Sequence, residues 1–276
     1  MSPKSIRTNA LSLIRVWNEA RVAVYGVMQR RLPILVQNWI GGSRLTEPVR
    51  RLLLWPKGSR TLVESKINFQ GRRFRFAAPV KVASTVRRIG GIENGLCRLV
   101  LQECQPGAVT LDVGANYGFV SLVMANAVGD SGHVHAFEAD PKIFEALASN
   151  ININNLNARC SVVHGFVGNV ADEHHRMTID DYVDKYGIER LDFIKIDVDG
   201  PDFQVLEGAR NSLTHFHPVV AIEMTGDQSR ILELLRELGY QCSDMSGGEV
   251  DPNNWPPNVL AAVGRRLRVP LRTSIH

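Results

Sequence analysis

Three acidic residues follow apolar runs of the sequence and could act on a bound substrate. Asp197 and Asp199 follow the run that starts at Phe193, and Glu223 ends the run that starts at Val219. A carboxylate beside an alcohol can remove its proton as a general base. We therefore predict Asp197 as the catalytic base and Asp199 as a second catalytic residue.

Two other interpretations of these acids remain open. Asp197, Asp199 and Glu223 could together hold a divalent cation, because carboxylate oxygens are the ligands that such ions prefer. Asp199 could instead cap the helix expected to begin at Pro201, and Asp197 could order the loop before it. Of these interpretations we favour catalysis, so the predicted site includes no metal ligand.

A glycine turn precedes a helix in the stretch LDVGANYG, from Leu111 to Gly118. The short apolar run before Gly114 predicts a buried strand, and the apolar spacing after Gly118 predicts a helix. Glycine admits backbone angles closed to other residues, and the start of a helix presents N–H groups to an anion. This strand, turn and helix are typical of a nucleotide-binding crevice.

The end of the second predicted strand indicates which nucleotide-containing ligand the crevice binds. It ends in Glu138, and a carboxylate there can accept both hydroxyls of a ribose. The spacing Gly114-x-x-x-Gly118 is neither G-x-G-x-x-G nor a P-loop. Glu138, Asp112 and Asn116 suit a ligand that has a ribose, an amine and a carboxylate, and S-adenosylmethionine has all three. The alternative is a generic doubly wound fold with an incidental acid.

Four successive motifs resemble those of a known family. They read LDVGANYGFVSL, HVHAFEADPKIFEALASNININNL, MTIDDYV and DFIKIDVDGPDFQVLEGA, and together they resemble the FkbM-type methyltransferases. The resemblance runs from Gly90 to Gly264 and implies a class I, Rossmann-like fold, usually with O-methylation of a small molecule or sugar. Two features depart from the family pattern: Asp199 stands for the usual acid of DVEG, and the segment 168–177 is short.

The predicted cofactor site combines the glycine turn, the ends of neighbouring strands and one helix start. Glu93 opens the helix predicted over 92–104, where the resemblance implies an acid near the cofactor; the helix dipole alone would also favour one. His164 and Phe166 follow the third strand and could flank an adenine, with packing as an equal alternative. The predicted cofactor-binding residues are Glu93, Asp112, Gly114, Ala115, Asn116, Tyr117, Gly118, Glu138, Ala139, His164, Gly165, Phe166 and Asp197.

Seven strands are expected to position these side chains. Five apolar runs predict core strands, and two later runs predict an antiparallel pair: 109–113, 133–138, 161–164, 193–198 and 219–222, then 240–244 and 258–263. Ligands bind beyond the carboxyl ends of the strands in open α/β sheets, so the acids and glycines should meet at one edge. The expected fold is a Rossmann-like, mostly parallel seven-stranded α/β sheet with helices on both faces.

Two helix starts have capping signals. Asp140 before Pro141 predicts an N-cap with proline at the first helical position. Thr178-x-x-Asp181 resembles a capping box, with aspartate in place of glutamate or glutamine. The second of these helices is expected to end at Gly187.

Charge is distributed unevenly along the 276 residues. Residues 1–90 contain 18 Lys and Arg against 3 Asp and Glu, whereas residues 91–276 contain 14 against 25. Residues 1–60 are expected to form a basic helical extension. Residues 61–276 are the expected methyltransferase domain, with a hairpin and lead-in over 61–90, the core over 91–264 and a basic tail over 265–276.

The basic extension has three interpretations. It could pack on the body of the protein or on a second copy in a homodimer. It could contact an anionic membrane surface, or, as the least favoured partner, nucleic acid. No apolar run is long enough to predict a spanning helix. Four cysteines without metal or disulfide spacing favour a cytoplasmic protein.

The sequence favours S-adenosylmethionine-dependent O-methylation of a small molecule, a saccharide or a lipid-linked glycan. A nucleic-acid methyltransferase is one alternative, but methylation of a base amine usually needs Asn/Asp-Pro-Pro-aromatic where this chain reads DVDGPD. A non-catalytic module that only binds the cofactor is the other. The intact turn and Glu138 argue against that second alternative.

Overall fold

The computed structural model describes residues 62–172 and 175–264. The predicted basic extension over 1–60 and the predicted tail over 265–276 lie outside these ranges. The chain divides into two compact units, Met1–Ile92 and Glu93–His276. A domain boundary after residue 60 stays a prediction.

The described part of the first unit is a hairpin followed by a helix. Strands β1 (Leu62–Phe69) and β2 (Arg72–Pro79) pair antiparallel, and Gln70 and Gly71, both with positive φ, make the turn between them. Alternate residues of both strands are buried, so the hairpin has the expected apolar face. The helix α1 (Val80–Ile89) is additional to the expected elements.

The second unit contains a seven-stranded sheet. Its strands and one short separate pair are, in chain order, β3 (Val109–Val113), β4 (His133–Glu138), β5 (Cys160–His164), β6 (Phe166–Val167), β7 (Arg176–Met177), β8 (Phe193–Ile196), β9 (Val219–Glu223), β10 (Gln241–Asp244) and β11 (Asn258–Ala262). The sheet order is β10-β11-β9-β8-β3-β4-β5, and β6 pairs with β7. Strands β9, β8, β3, β4 and β5 are parallel, whereas β11 is antiparallel to both of its neighbours. The expected mostly parallel sheet with an antiparallel end is confirmed.

Helices connect the strands of this unit. In the described part they are α2 (Asn94–Glu103), α3 (Phe119–Ala127), α4 (Pro141–Ile153), α5 (Ile179–Tyr186), α6 (Asp202–Glu207), α7 (Arg210–Phe216) and α8 (Gln228–Glu237). Across the described residues of both units, none of the helices has the length and apolarity needed to cross a membrane.

Both predicted helix caps are present. The Asp140 carboxylate accepts the N–H groups of Lys142 and Ile143 at the start of α4. The Thr178 hydroxyl oxygen accepts the N–H of Asp181, and the Asp181 carboxylate in turn accepts the O–H of Thr178. This second pair departs from a capping box, in which the acid accepts the N–H of the cap residue.

The sheet is most deeply buried at its centre. All four residues of β8 are buried, and so are the last four of β3, as expected for parallel strands covered on both sides. Two of these buried residues are charged: Asp112 on β3 and Lys195 on β8 are 0% and 3% exposed and are direct register partners. The apolar core therefore contains a pair of opposite charges.

The segment after β8 differs from its prediction. The strand ends at Ile196 instead of Val198, so Asp197 lies in the loop. The helix predicted from Pro201 is divided into α6 and α7 around Gly208. A Cβ at Gly208 would lie 2.0 Å from the Gly168 carbonyl oxygen, so close contact with another segment accompanies the break.

Candidate functional site

The candidate site lies where the order of the sheet reverses. From β3 the chain adds β4 and β5 on one side, then β8 and β9 on the other. In open α/β sheets this reversal leaves a crevice beyond the carboxyl ends of the strands, where ligands bind. The glycine turn follows β3, Glu138 ends β4 and Asp197 follows β8, so the fold brings three predicted features to one edge.

The glycine turn, residues 114–118, relies on left-handed backbone angles. Gly114, Asn116 and Gly118 have φ of 77°, 53° and 84°. A Cβ at Gly114 would lie 1.8 Å from the carbonyl oxygen of Asp197, which requires glycine at this position. The turn after β3 and the loop after β8 are therefore in main-chain contact.

Hydrogen bonds from the surrounding chain fix the shape of the turn. The N–H of buried Ala115 donates to the carbonyl of Phe137 at 2.8 Å. The side chain of Asn150, fully buried on α4, donates to the carbonyl of Tyr117 at 2.8 Å. The side-chain oxygen of Asn116 accepts the N–H of Tyr117 at 2.9 Å. Asn150 thus supports the turn, a function that the sequence did not reveal.

Glu138 is held across the turn by main-chain groups. Its Oε2 accepts the N–H of Asn116 at 2.9 Å, and its Oε1 accepts the N–H of Asp140 at 2.8 Å. Each carboxylate oxygen can accept a further hydrogen bond. The half-buried carboxylate is thus oriented before any ligand binds, as recognition of two ribose hydroxyls would require.

Aromatic side chains lie beside the end of β4. Nε2 of His164 is 3.2 Å from the carbonyl oxygen of Ala139, and the His164 ring is 5.0 Å from that of Phe144. Gly165 is buried, and Phe166, which begins β6, is 42% exposed. His164 is the register partner of Glu138, while contact of His164 and Phe166 with a base stays a prediction.

A buried ion cluster, consisting of Asp112, Lys195 and Asp197, joins β3 to the loop after β8. Nζ of Lys195 lies 3.3 Å from Oδ1 of Asp112 and 3.4 Å from Oδ2 of Asp197. The same Nζ donates to the carbonyl of Gly114 at 2.8 Å. Oδ2 of Asp112 accepts the hydroxyl of Ser121 on α3 at 2.5 Å. Because Asp112 is fully buried among these groups, the structure favours an indirect effect on a ligand over the predicted direct contact.

Opposing effects act on Lys195. Burial by itself lowers the pKa of its ammonium group, but the carboxylates of Asp112, Asp197 and Glu93 outweigh burial and raise the pKa above its usual value. The three carboxylates therefore favour the charged form of this buried lysine.

Glu93 lies just before α2 in a left-handed conformation, with φ of 49°. Its side chain makes no capping hydrogen bond to α2, although its position at the helix start is still one that the helix dipole favours for an acid. Although the residue as a whole is exposed, its carboxyl group is enclosed by protein atoms. This burial, followed by the charges of Asp197 and Asp112, raises the pKa of Glu93 in spite of the opposing Lys195. The structure thus brings Glu93 into the electrostatic environment of the buried ion cluster.

Three carboxylates meet on the other side of Asp197. One oxygen each from Asp197, Asp199 and Glu223 lies within 4.8 Å of the other two. Burial, and then the hydrogen bond and charge of Asp197, raise the pKa of Glu223 to about 7. A carboxyl group that exchanges its proton near neutral pH is a frequent feature of active sites. The predicted acids are thus together, in an arrangement suited to proton transfer or to a cation.

Asp202, and not Asp199, organises the loop after β8. The fully buried Asp202 carboxylate accepts the N–H groups of Val198 and Gly200 at 3.1 and 3.2 Å, and also the hydroxyl of Thr225 after β9. Asp199 has a positive φ of 54° and is exposed. The interpretation of Asp199 as the cap of the next helix is therefore wrong, and its carboxylate is left for the site.

Sequence reasoning missed Lys195, Asp202 and Asn150. A usable signal existed for the lysine: a lone cation in one apolar strand and a lone acid in another are costly to bury unless they pair. Asp202 follows Pro201 in the first helical turn, where an acid is favoured. No comparable signal marks Asn150, because several asparagines follow it.

Residues 167–242 match the family described as the methyltransferase FkbM domain. This match supports the resemblance drawn from the four motifs and supports a methyltransferase function. No curated protein sequence matches the chain at a significant level.

Solved methyltransferase structures are similar to parts of the chain. Methyltransferase FkbM from Methylobacillus flagellatus KT is 17% identical over 66% of this chain and 54% of its own, with a TM-score of 0.44. An O-methyltransferase from Bacillus cereus, in complex with SAH, is 22% identical over 63% and 81%, with a TM-score of 0.43. A SAM-dependent O-methyltransferase from Thermotoga maritima is 18% identical over 73% and 78%, with a TM-score of 0.44. The chain thus spans about half the length of the first of these proteins. Structural similarity at this level assigns no property of these proteins to the present chain.

Proposed function

We propose that this chain is an S-adenosylmethionine-dependent methyltransferase of the FkbM type, acting on a hydroxyl group. The match of residues 167–242 to the methyltransferase FkbM domain supports this proposal. The acceptor in this proposal is a small molecule, a saccharide or a lipid-linked glycan, and the protein works in the cytoplasm.

The observation that carries the cofactor assignment is the orientation of Glu138. Its carboxylate is fixed by the N–H groups of Asn116 and Asp140, at the edge of the crevice beside the glycine turn. A pre-oriented acceptor binds the paired hydroxyls of a ribose without a further cost of ordering. Asn116, in the middle of the turn, is exposed.

The acids after β8 and β9 support a reaction at a hydroxyl group. When bound, S-adenosylmethionine would supply a methyl group activated by its sulfonium. The Asp197 side chain, 28% exposed, can accept the proton of an acceptor hydroxyl. Asp199 and Glu223 are close enough to orient the same hydroxyl. Holding the acceptor oxygen in line with the methyl carbon would provide much of the rate.

The composition of the loop after β8 argues against nucleic-acid bases as acceptors. Residues 197–201 are Asp, Val, Asp, Gly and Pro, so no aromatic side chain is present on which an extruded base could stack. A hydroxyl acceptor needs no such stacking surface.

Isothermal calorimetry with S-adenosylmethionine tests the proposal. Glu138→Ala removes an acceptor for two hydroxyls, worth roughly 1.5–3 kcal/mol, and should weaken binding about ten- to a hundredfold. Glu145→Ala, at an exposed position of α4, is the matched control and should bind like the unchanged protein. Equal affinity in the Glu138 and Glu145 variants would show that Glu138 does not bind the cofactor. If the unchanged protein does not bind S-adenosylmethionine, the proposed function is wrong.

A further inference from the structure

Lys195 occupies an unusual position for a lysine. It lies in the middle of an entirely buried strand, and only 4% of its side chain is exposed. A buried ammonium group is costly unless it is paired and hydrogen-bonded. The groups that contact Nζ must therefore offset the cost of burying this charge.

The shortest of these contacts is with the glycine turn. Nζ donates to the carbonyl of Gly114 at 2.8 Å, whereas its distances to Asp112 and Asp197 are 3.3 and 3.4 Å. Neutralising Asp112 would require only the ion pair between neighbouring strands. The hydrogen bond to Gly114 is an additional contact, directed at the main chain of the predicted cofactor loop.

Lys195 lies where the two loops of the site are in main-chain contact. The space for a Cβ on Gly114 is filled by the carbonyl oxygen of Asp197. The ammonium group contacts the carbonyl of Gly114 and the carboxylate of Asp197 at the same time. A shift of either loop would therefore break a contact of the same buried cation.

We propose that Lys195 is a positioning residue, which sets the glycine turn and the Asp197 carboxylate in one fixed arrangement. The inference rests on the proposed function, because it assigns the turn to the cofactor and Asp197 to the acceptor. Asp112 holds the lysine from the opposite strand, and the hydroxyl of Ser121 on α3 holds Asp112. Glu93, before α2, is the remaining carboxylate that acts on the ammonium group.

A purely structural role makes a different prediction from a positioning role. If Lys195 only neutralised Asp112, replacing both by uncharged residues of similar shape would restore stability, order of the turn and affinity together, because neither charge would be left buried without its partner. If Lys195 positions the turn, the same double replacement restores stability but leaves the Gly114 carbonyl without its donor.

The experiment compares Lys195→Met, Asp112→Asn and the double variant in the full chain. Thermal unfolding measures stability, and hydrogen–deuterium exchange of peptides covering 114–118 measures the order of the turn without any ligand. Calorimetry measures the affinity for S-adenosylmethionine. Lys185→Met, on an exposed position of α5, is the matched control for the loss of a lysine.

We expect both single variants to be less stable and the double variant to regain most of the lost stability. In the double variant, exchange of the turn should stay about tenfold or more above that of the unchanged protein, as expected for one lost charged hydrogen bond. Affinity for S-adenosylmethionine should be reduced by a similar factor. The control should match the unchanged protein in all three measurements.

Recovery of exchange and affinity together with stability in the double variant would overturn the proposal, since Lys195 would then serve Asp112 alone. A double variant that is no more stable than Lys195→Met alone also contradicts it, because Asp112 would then not be coupled to the lysine that it is proposed to hold. If the unchanged protein binds no S-adenosylmethionine, the proposed function fails, while the exchange comparison still decides the role of Lys195.

Discussion

At the scale of single residues, Asp197 is the side chain on which the proposed chemistry depends. Asp197→Asn keeps the shape and removes the base, so turnover should fall by about 10²–10⁴. Cofactor affinity should change little, since the predicted proton transfer involves the acceptor. The measurement is transfer of a labelled methyl group to an acceptor found by screening glycans and lipids.

Asp184→Asn, on an exposed position of α5, serves as the control for this substitution. Near-normal turnover in the Asp197 variant would exclude it as the base. Loss of activity in the unchanged protein on addition of a chelator would instead favour a cation held by Asp197, Asp199 and Glu223.

The residues of the site could be predicted where they follow strands, whereas the pairing of those that lie inside strands could not. Glu138, Asp197 and Glu223 follow or end apolar runs, and the fold places each at the predicted edge. Lys195 and Asp112 lie within such runs, and their pairing depends on which strands become neighbours. The chain separates them by more than eighty positions, so only the sheet order β8-β3 reveals the pair.

At the scale of elements, Asp180 links two helices that the sequence treats separately. Its carboxylate accepts the N–H groups of Asn211 and Ser212 and the hydroxyl of Ser212, at 2.9, 2.8 and 2.6 Å. A residue in the first turn of α5 thus caps the start of α7. Asp180→Ala should cost about 1–3 kcal/mol of stability, which is roughly 2–4 °C in Tm per kcal/mol for a chain of this size.

Calorimetric unfolding measures this loss, with Asp184→Ala on the same helix as control. Asp180→Asn, which keeps one acceptor oxygen, should fall between the two. A Tm of the Asp180→Ala variant equal to that of the control would show that the cap contributes nothing to stability.

Elements were predictable where local signals agree with the final packing. Asp140 and Thr178 start their helices as capping chemistry predicts. The division between α6 and α7 was not predictable, because it coincides with contact between Gly208 and the distant Gly168. The short β6–β7 pair likewise depends on a contact between two segments that the sequence presents as a loop.

At the scale of the whole molecule, His135 should make stability depend on pH. Burial, and then the charge of His133, lower its pKa from 6.5 to about 4 in the folded protein. Between these values the unfolded chain binds the proton more readily, so stability is complete above pH 6.5 and is lost as the pH falls towards 4. The loss should reach at most about 3 kcal/mol.

Urea unfolding at a series of pH values measures this dependence. His135→Gln keeps a partner for the hydroxyl of Tyr182, which lies 2.9 Å from Nδ1 of His135, and should flatten the acid limb of the curve. His215→Gln, at an exposed position, is the control. Parallel curves for the unchanged protein and the His135 variant would refute this assignment.

The basic extension gives a second prediction for the whole molecule. Residues 1–60 contain 11 Lys and Arg against 2 Asp and Glu. Anionic lipid attracts such a segment by about 1 kcal/mol for each basic residue near the surface. We therefore expect the full chain to sediment with anionic vesicles at low salt, and less so at high salt because of screening.

A chain shortened to begin at Thr61 should stay in the supernatant, as should the full chain with neutral vesicles. If the full chain does not sediment at low salt, the alternative of packing on the body or on a second copy is favoured.

The main-chain contact at Gly114 also limits how the gene can change. Every single-base change in a glycine codon that alters the amino acid and does not introduce a stop introduces a Cβ. At this position any Cβ would overlap the carbonyl oxygen of Asp197, 1.8 Å away, and the backbone φ of 77° also disfavours such residues. No single-base change replaces Gly114 by a residue that fits, so a lineage that retains this fold can replace this glycine only if the loop after β8 has moved first.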